Sequence, residues 1–180
     1  MSKKRLFIGT FVDSQIFENI LPKIRQEFSD VCKGKWVELH NLHFTYKFLG
    51  DVQDLMIDDL KSSIAEYLTM YSVEMKFSGI GAFPDLRRPK VLFVNFQVTD
   101  GKVNSIFRGL ELKLLELGFP KETRPFKQHI SLIRIKSSAR QFNDIAQKYR
   151  NTNFGVMNEF KVSLIESRLF STGPVYSILE

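Results

Sequence analysis

Two short motifs in this sequence each place an imidazole two residues before a hydroxyl. They are His43-Phe44-Thr45 and His129-Ile130-Ser131, and each lies in a run of apolar residues that predicts a strand. Residues two apart on a strand point to the same face, about 6.5–7 Å from one another. The histidine and the hydroxyl of one motif can therefore reach different oxygens of a single phosphate. Each motif predicts one half of a phosphate site.

A pair of histidines on opposite sides of one phosphate can act as acid and base. One imidazole takes a proton from the entering water, and the other gives a proton to the departing oxygen. Histidine suits both roles because its ordinary pKa, about 6.5, lets either form exist near neutral pH. A single His-x-hydroxyl motif is more often a structural histidine on a strand. Here, two of the three histidines stand in matching contexts, one in each half, which favours the catalytic interpretation.

The third histidine, His40, raises the alternative of a zinc site formed with His43 and His129. Catalytic zinc sites use three protein ligands, but His40 precedes the predicted strand and no cysteine or acidic pattern completes the set. We therefore expect His40 to be an exposed loop residue, and we expect neither a metal nor another cofactor.

The elements that must position these motifs alternate in a mixed α+β order. Period-two and short apolar runs predict strands, and apolar residues three or four apart predict helices. The predicted strands span residues 5–11, 36–37, 42–49, 73–80, 90–98, 129–135, 159–165 and 175–179, and the predicted helices span 13–28, 54–68, 102–117 and 139–150. Gly50-Asp51 indicates a strand end, and the fifth strand forms a hairpin with the fourth. One histidine strand in each half predicts two similar lobes in a single domain over residues 1–180.

Composition narrows the class of protein further. The 180 residues are 43% hydrophobic, enough for the core of one domain. A net charge of +6 favours an anionic partner such as a phosphate-bearing ligand. The single cysteine excludes internal disulfides and thiolate-rich metal sites, which favours the cytoplasm. No apolar run approaches the ~20 residues of a membrane span, so we expect no membrane association. We also expect the protein to be a monomer.

The sequence resembles the RNA 2',3'-cyclic phosphodiesterases, also called 2'-5' RNA ligases, of the two-histidine phosphoesterase superfamily. The resemblance runs nearly end to end through residues 5–9, 41–50, 83–84, 88–92, 129–134 and 173–176, and the two histidine blocks are its specific part. It implies a bilobal α+β fold in which two antiparallel sheets face a central cleft, with helices outside. It also implies metal-independent hydrolysis of a terminal cyclic phosphate to a 2'-phosphate, with weak reverse joining of RNA ends through a 2'-5' linkage.

The resemblance also implies roles for residues of both motifs. His43 is then the acid to the 3' oxygen and His129 the base for water, although the near-symmetric pair leaves the reverse assignment open. Thr45 and Ser131 orient the phosphate. Ser131 stands where the family more often has threonine, but serine keeps the hydroxyl. Arg134 is a candidate phosphate contact because its planar fork can grip two oxygens.

A charged loop leads into the second motif and supplies candidate RNA contacts, namely Arg124, Lys127 and the aromatic Phe126. Such charge runs are usually only solvated surface, but phosphate contacts draw on these side chains.

Two other functions stay open: a phosphodiesterase acting on another small phosphodiester, such as a 2'-5' oligonucleotide or a nucleotide cyclic phosphate, and a non-catalytic RNA-binding module. The binding module predicts loss of a motif histidine or hydroxyl, and all four are present.

Overall fold

The computed structural model describes residues 2–171 and 173–179 of the chain. Its strands are β1 (Lys3–Phe11), β2 (Cys32–Trp36), β3 (His43–Gln53), β4 (Met70–Tyr71), β5 (Met75–Phe83), β6 (Val91–Val98), β7 (His129–Ser138), β8 (Asn153–Met157), β9 (Phe160–Lys161), β10 (Ser163–Leu169) and β11 (Pro174–Ile178). Its helices are α1 (Gln15–Glu18), α2 (Leu21–Phe28), α3 (Ile57–Ile64), α4 (Lys102–Glu116) and α5 (Phe142–Lys148), with 3-10 turns at Leu39–Asn41 and Asp54–Met56.

The strands form two main sheets in which every neighbouring pair is antiparallel. One sheet has the order β11-β10-β1-β3, the other has the order β2-β7-β6-β5-β8, and β4 with β9 makes a small third sheet. The two histidine motifs begin strands of different sheets, β3 and β7. The predicted α+β class with two antiparallel sheets is confirmed, as is the hairpin of β5 and β6.

An aromatic core joins the two main sheets directly behind the motifs. Phe44, which follows His43, is 1% exposed, and its ring centroid lies 4.5 Å from that of Phe96 on β6 of the other sheet. In the second motif, Ile130 is likewise fully buried. Burying one such side chain contributes about 1.5–3 kcal/mol. Alternate residues of β3 and β7 therefore hold the sheets together and leave the histidines on the opposite face.

Helix α4 covers the core with an apolar stripe at helical spacing, as the sequence predicts. The stripe is fully or almost fully buried and consists of Val103, Ile106, Leu110 and Leu114. Gly118, with φ of +84°, follows the helix where the sequence predicted its end. No helix in residues 2–171 or 173–179 is both long enough and apolar enough to span a bilayer.

The predicted single helix over residues 13–28 is wrong, because the structure has two helices there. Helix α1 ends at Glu18 and α2 begins at Leu21, with Pro22 in its first turn. Proline lacks a backbone N–H and its ring clashes with the carbonyl four residues earlier in a continuous helix. Pro22 is tolerated only because it lies at the start of a new helix.

Strand boundaries differ from the prediction where glycine allows unusual backbone. Strand β3 continues through Gly50 to Gln53, because Gly50 adopts a φ of +72° that other residues rarely take and still pairs with Leu6. Strand β8 was missed. Its sequence includes Asn153 and Gly155, residue types that are uncommon in strands, and it pairs with β5 at the edge of the sheet.

Candidate active site

His43 is held by its own backbone and by a ring of aromatic side chains. Its Nδ1 lies 2.6 Å from the carbonyl oxygen of Asn41. A carbonyl can only accept, so Nδ1 carries the proton of this bond and Nε2 stays available to a ligand. The imidazole packs against Phe7 and Tyr176, each 5.0 Å away between ring centroids. The side chain of Asn41 donates to the carbonyl of Pro174, 3.2 Å away, and so fixes the strand that carries Tyr176.

His129 is held in the same way in the other sheet. Its Nδ1 lies 2.7 Å from the carbonyl oxygen of Lys127, so this histidine also keeps Nε2 free. Its ring packs edge-on against Phe83 at 4.9 Å and Phe93 at 5.3 Å. A Cβ atom on Gly81 would lie 2.6 Å from the Phe93 ring, so only glycine lets this ring take its place beneath His129. Both imidazoles therefore have a fixed tautomer and a fixed orientation.

A β-bulge in β7 brings Arg134 to the same face as His129. Ser131 and Ile133 pair with consecutive residues of β6, so Leu132 is the extra residue of the bulge. Strict alternation would place Ile133 beside Ser131. Instead, Leu132 and Ile133 are both fully buried, and Arg134 is exposed to the cleft.

Strand β3 has a bulge at the corresponding place. Thr45 and Lys47 pair with consecutive residues of β1, and Tyr46 is the extra residue. Phe48 consequently faces the cleft, with 63% of its surface exposed. Phe48 and Arg134 therefore occupy corresponding positions, each three residues after the hydroxyl residue of its motif. Sequence reasoning missed Phe48 because two-residue alternation places it on the opposite face from Thr45.

The two strands line one cavity of about 800 Å³ between the main sheets. His43, His129, Thr45, Ser131 and Arg134, the predicted catalytic and phosphate-binding residues, all border it. The cationic side chains on its wall are Arg5, Lys35, Arg124 and Arg134, and Glu38 is the one carboxylate there among the described residues. A wall with this balance of charge attracts phosphate esters.

Burial lowers the pKa of both histidines below the ordinary value. For His43, the loss of hydration is the largest cause, and the nearby charges of Arg134 and His129 lower its pKa further, against the bond to Asn41. For His129, loss of hydration again comes first, opposed by the bond to the Lys127 carbonyl, and the Lys127 ammonium lowers its pKa further. Both rings therefore favour the neutral form until an anion enters the cavity.

The predicted RNA contacts separate into two groups. Arg124 lines the cavity, and its Nε lies 3.7 Å from a carboxylate oxygen of Glu122. Lys127 and Phe126 instead border a second depression. Phe126 is half-buried and stacks on Phe107 at 4.3 Å, so its ring belongs to the packing of helix α4.

A buried ion pair anchors the loop that carries Arg124. Lys47 and Glu111, both almost fully buried, lie 2.5 Å apart, and the Lys47 ammonium also donates to the carbonyl of Pro120 at 2.6 Å. The other carboxylate oxygen of Glu111 accepts the backbone N–H of Glu122 at 2.8 Å. The strand of His43 and the loop of Arg124 are therefore held by one polar network.

His40 lies in the 3-10 turn before β3 and is exposed at the mouth of the cavity. Throughout the described ranges, no three histidine, cysteine, aspartate or glutamate side chains converge as metal ligands.

The chain is similar in sequence to known phosphodiesterases. Residues 14–93 match the family model described as LigT like phosphoesterase. The chain is 32% identical to the RNA 2',3'-cyclic phosphodiesterase of Aquifex aeolicus over 100% of this chain and 97% of that protein. It is 33% identical to the protein of the same name from Archaeoglobus fulgidus, over 97% of each chain.

Solved structures show the same fold. The crystal structure of TT0787 of Thermus thermophilus superimposes with a TM-score of 0.74 at 25% identity, covering 98% of this chain and 95% of that one. The crystal structure of E. coli LigT complexed with 3'-AMP gives a TM-score of 0.79 at 20% identity, over 99% and 97% of the two chains.

Proposed function

Since this chain belongs to the RNA 2',3'-cyclic phosphodiesterase family, as full-length relatives of 32% and 33% identity show, we propose that it opens 2',3'-cyclic phosphate ends of RNA to 2'-phosphates. The observation that carries the proposal is the shared cavity, which both motif histidines line with their Nδ1 atoms tied back to the backbone. An imidazole fixed in this way presents Nε2 to a bound phosphate.

The proposed reaction is an in-line displacement at phosphorus. Nε2 of His129 takes a proton from water while the water oxygen bonds to phosphorus. The bond from phosphorus to the 3' oxygen breaks, and protonated His43 gives its Nε2 proton to that oxygen. Thr45 and Ser131 donate hydrogen bonds to the non-bridging oxygens, and Arg134 stabilises the charge that grows there. The products are a 2'-phosphate and a free 3'-hydroxyl.

Three extensions of this proposal concern the RNA. A 5'-hydroxyl in place of water would attack the same phosphorus and give a 2'-5' linkage, so weak joining of RNA ends accompanies hydrolysis. Phe48, an exposed aromatic ring beside the phosphate-binding residues, is suited to stack on the terminal nucleobase. Arg124 on the cavity wall is proposed to contact the RNA backbone.

Product analysis tests the proposal directly. Incubating the purified protein with a short RNA that ends in a 2',3'-cyclic phosphate, with a chelator present, is expected to yield only the 2'-phosphate. The chelator is expected to leave the rate unchanged, because imidazole, hydroxyl and guanidinium groups supply all the proposed charge stabilisation. A 3'-phosphate product would reverse the assignment of the leaving oxygen. A higher kcat/KM for a 2'-5'-linked dinucleotide would change the proposed substrate class.

The pH dependence of turnover is a separate prediction. The base must be neutral, so the rate falls as pH decreases through its pKa, and the acid must be protonated, so the rate falls as pH rises through its pKa. Because burial lowers both pKa values, we expect a bell-shaped kcat/KM profile with its maximum below about pH 6.5, the ordinary histidine value. The kcat profile should lie at higher pH, because bound phosphate stabilises the imidazolium. A flat kcat/KM profile would contradict the acid–base pair.

A further inference from the structure

A second polar depression, of about 510 Å³, adjoins the start of β7, where Lys127 and Gln128 precede His129. The residues that border it include six whose side chains carry hydrogen-bond donors, namely Lys127, Arg150, Asn95, Gln97, Asn104 and Gln128. No aspartate or glutamate in the described part of the chain borders it. Two cations and four amides without a carboxylate form a surface suited to an anion.

The depression lies against strand β6, which pairs with β7, the strand of His129. Asn95 on β6 is the direct cross-strand partner of His129. Gln97 points to the same face two residues further on, about 7 Å from Asn95 along the strand. Lys127 lies between the depression and the cavity, since its ammonium rests 4.5 Å above the Phe93 ring while its carbonyl holds His129. Lys127 and Gln128 border the depression and the next residue, His129, borders the cavity, so the two sites are neighbours along the chain.

No carboxylate of the described residues forms an ion pair with the cations of the depression. The guanidinium of Arg150 forms no ion pair with any residue in 2–171 or 173–179, and the Lys127 ammonium contacts aromatic rings where a carboxylate would be the usual partner. The backbone of Arg150 packs so closely on Gly79 that no side chain fits at position 79, which also has a φ of +70°. The start of the Arg150 side chain is therefore fixed beside the depression.

We infer that this depression binds a backbone phosphate of the RNA strand, upstream of the cyclic phosphate in the main cavity. The inference rests on the proposed function, because the strand must enter the cavity by its 3' end and continue in the 5' direction. Lys127 and Arg150 supply the charge, and the amides of Gln97 and Asn104 supply donors to the phosphate oxygens. The site makes the protein favour an oligonucleotide end over a mononucleotide.

The test compares two substrates, a mononucleoside 2',3'-cyclic phosphate and a tetranucleotide ending in the same group. Arg150→Gln is expected to lower kcat/KM for the tetranucleotide roughly fivefold, the upper range for one exposed charged contact, and to leave the mononucleotide unchanged. The slope of log KM against log salt for the tetranucleotide should fall by about 0.7, the value for one single-strand phosphate contact. Arg140→Gln, which removes an exposed cation outside both cavities, should change neither quantity.

The outcomes separate this inference from the proposed function. Unchanged mononucleotide turnover in Arg150→Gln also shows that the variant is folded. Equal losses on both substrates, equal salt slopes in wild type and variant, or the same loss in Arg140→Gln would overturn the phosphate site and leave the hydrolysis intact. A wild-type protein that hydrolyses neither substrate would instead overturn the proposed function, and this inference with it.

Discussion

His43→Ala and His129→Ala are each expected to lose nearly all hydrolysis of a cyclic phosphate end, by about 10²–10⁴-fold in kcat/KM, the usual contribution of a general acid or base. In the proposed reaction, each imidazole moves one of the two protons that are transferred. Each ring lines the cavity and gives up contacts with its aromatic neighbours and one hydrogen bond to a backbone carbonyl, so thermal unfolding and circular dichroism should still show a folded protein.

His40→Ala is the matched control for these variants. His40 is also a histidine at the cavity, but it is exposed in the turn before β3 and takes no part in the proposed proton transfers. We expect its turnover to stay near that of the wild type. Near-normal turnover in either motif variant would contradict the paired-histidine mechanism, and so would a loss in His40→Ala as large as theirs.

Arg134→Ala is expected to lower kcat by about 10²-fold, the typical result of removing one preorganised donor to charge that develops in the transition state. Arg134→Lys should lie between wild type and alanine, because lysine keeps the charge and loses the planar fork that grips two oxygens. The measurement is steady-state kinetics on a cyclic-phosphate RNA end.

Lys136→Ala provides the control for this prediction, since Lys136 is an exposed cation on the same strand that does not border the cavity. A loss confined to KM in Arg134→Ala would show that the guanidinium binds substrate and transition state equally. A comparable loss in Lys136→Ala would show that turnover depends on the overall positive charge and not on a specific contact of Arg134.

Much of this site can be predicted from sequence, because its information is local. A histidine and a hydroxyl two residues apart need only a strand to share a face, and both motifs lie in runs that predict strands. The apolar stripe of α4 and the hairpin of β5 and β6 follow from period alone. The family resemblance adds the facing arrangement of the sheets, which neither motif specifies by itself.

The rest depends on contacts between distant residues. A bulge is a mismatch between two strands, so the exposure of Phe48 and Arg134 beside their motifs cannot be read from either strand alone. The repeated spacing, an exposed residue three positions after each hydroxyl, is the one signal that could have indicated Phe48. The packing role of Phe126 could not be predicted for the same reason, because its stacking on Phe107 depends on where α4 packs.

The corresponding bulges leave β3 and β7 matched in histidine and hydroxyl but different at the next residue that faces the cavity, where Phe48 on β3 corresponds to Arg134 on β7. A cavity with identical halves would accept a five-membered cyclic phosphate in two poses related by a half-turn, in which the 2' and 3' oxygens exchange places and each histidine takes the other's task. An aromatic surface on one side and a guanidinium on the other make those poses unequal in energy. Each ~1.4 kcal/mol between them multiplies the ratio of the two pose populations about tenfold. In the proposed reaction, the difference between Phe48 and Arg134 therefore favours one assignment of acid and base to the two histidines over the reverse.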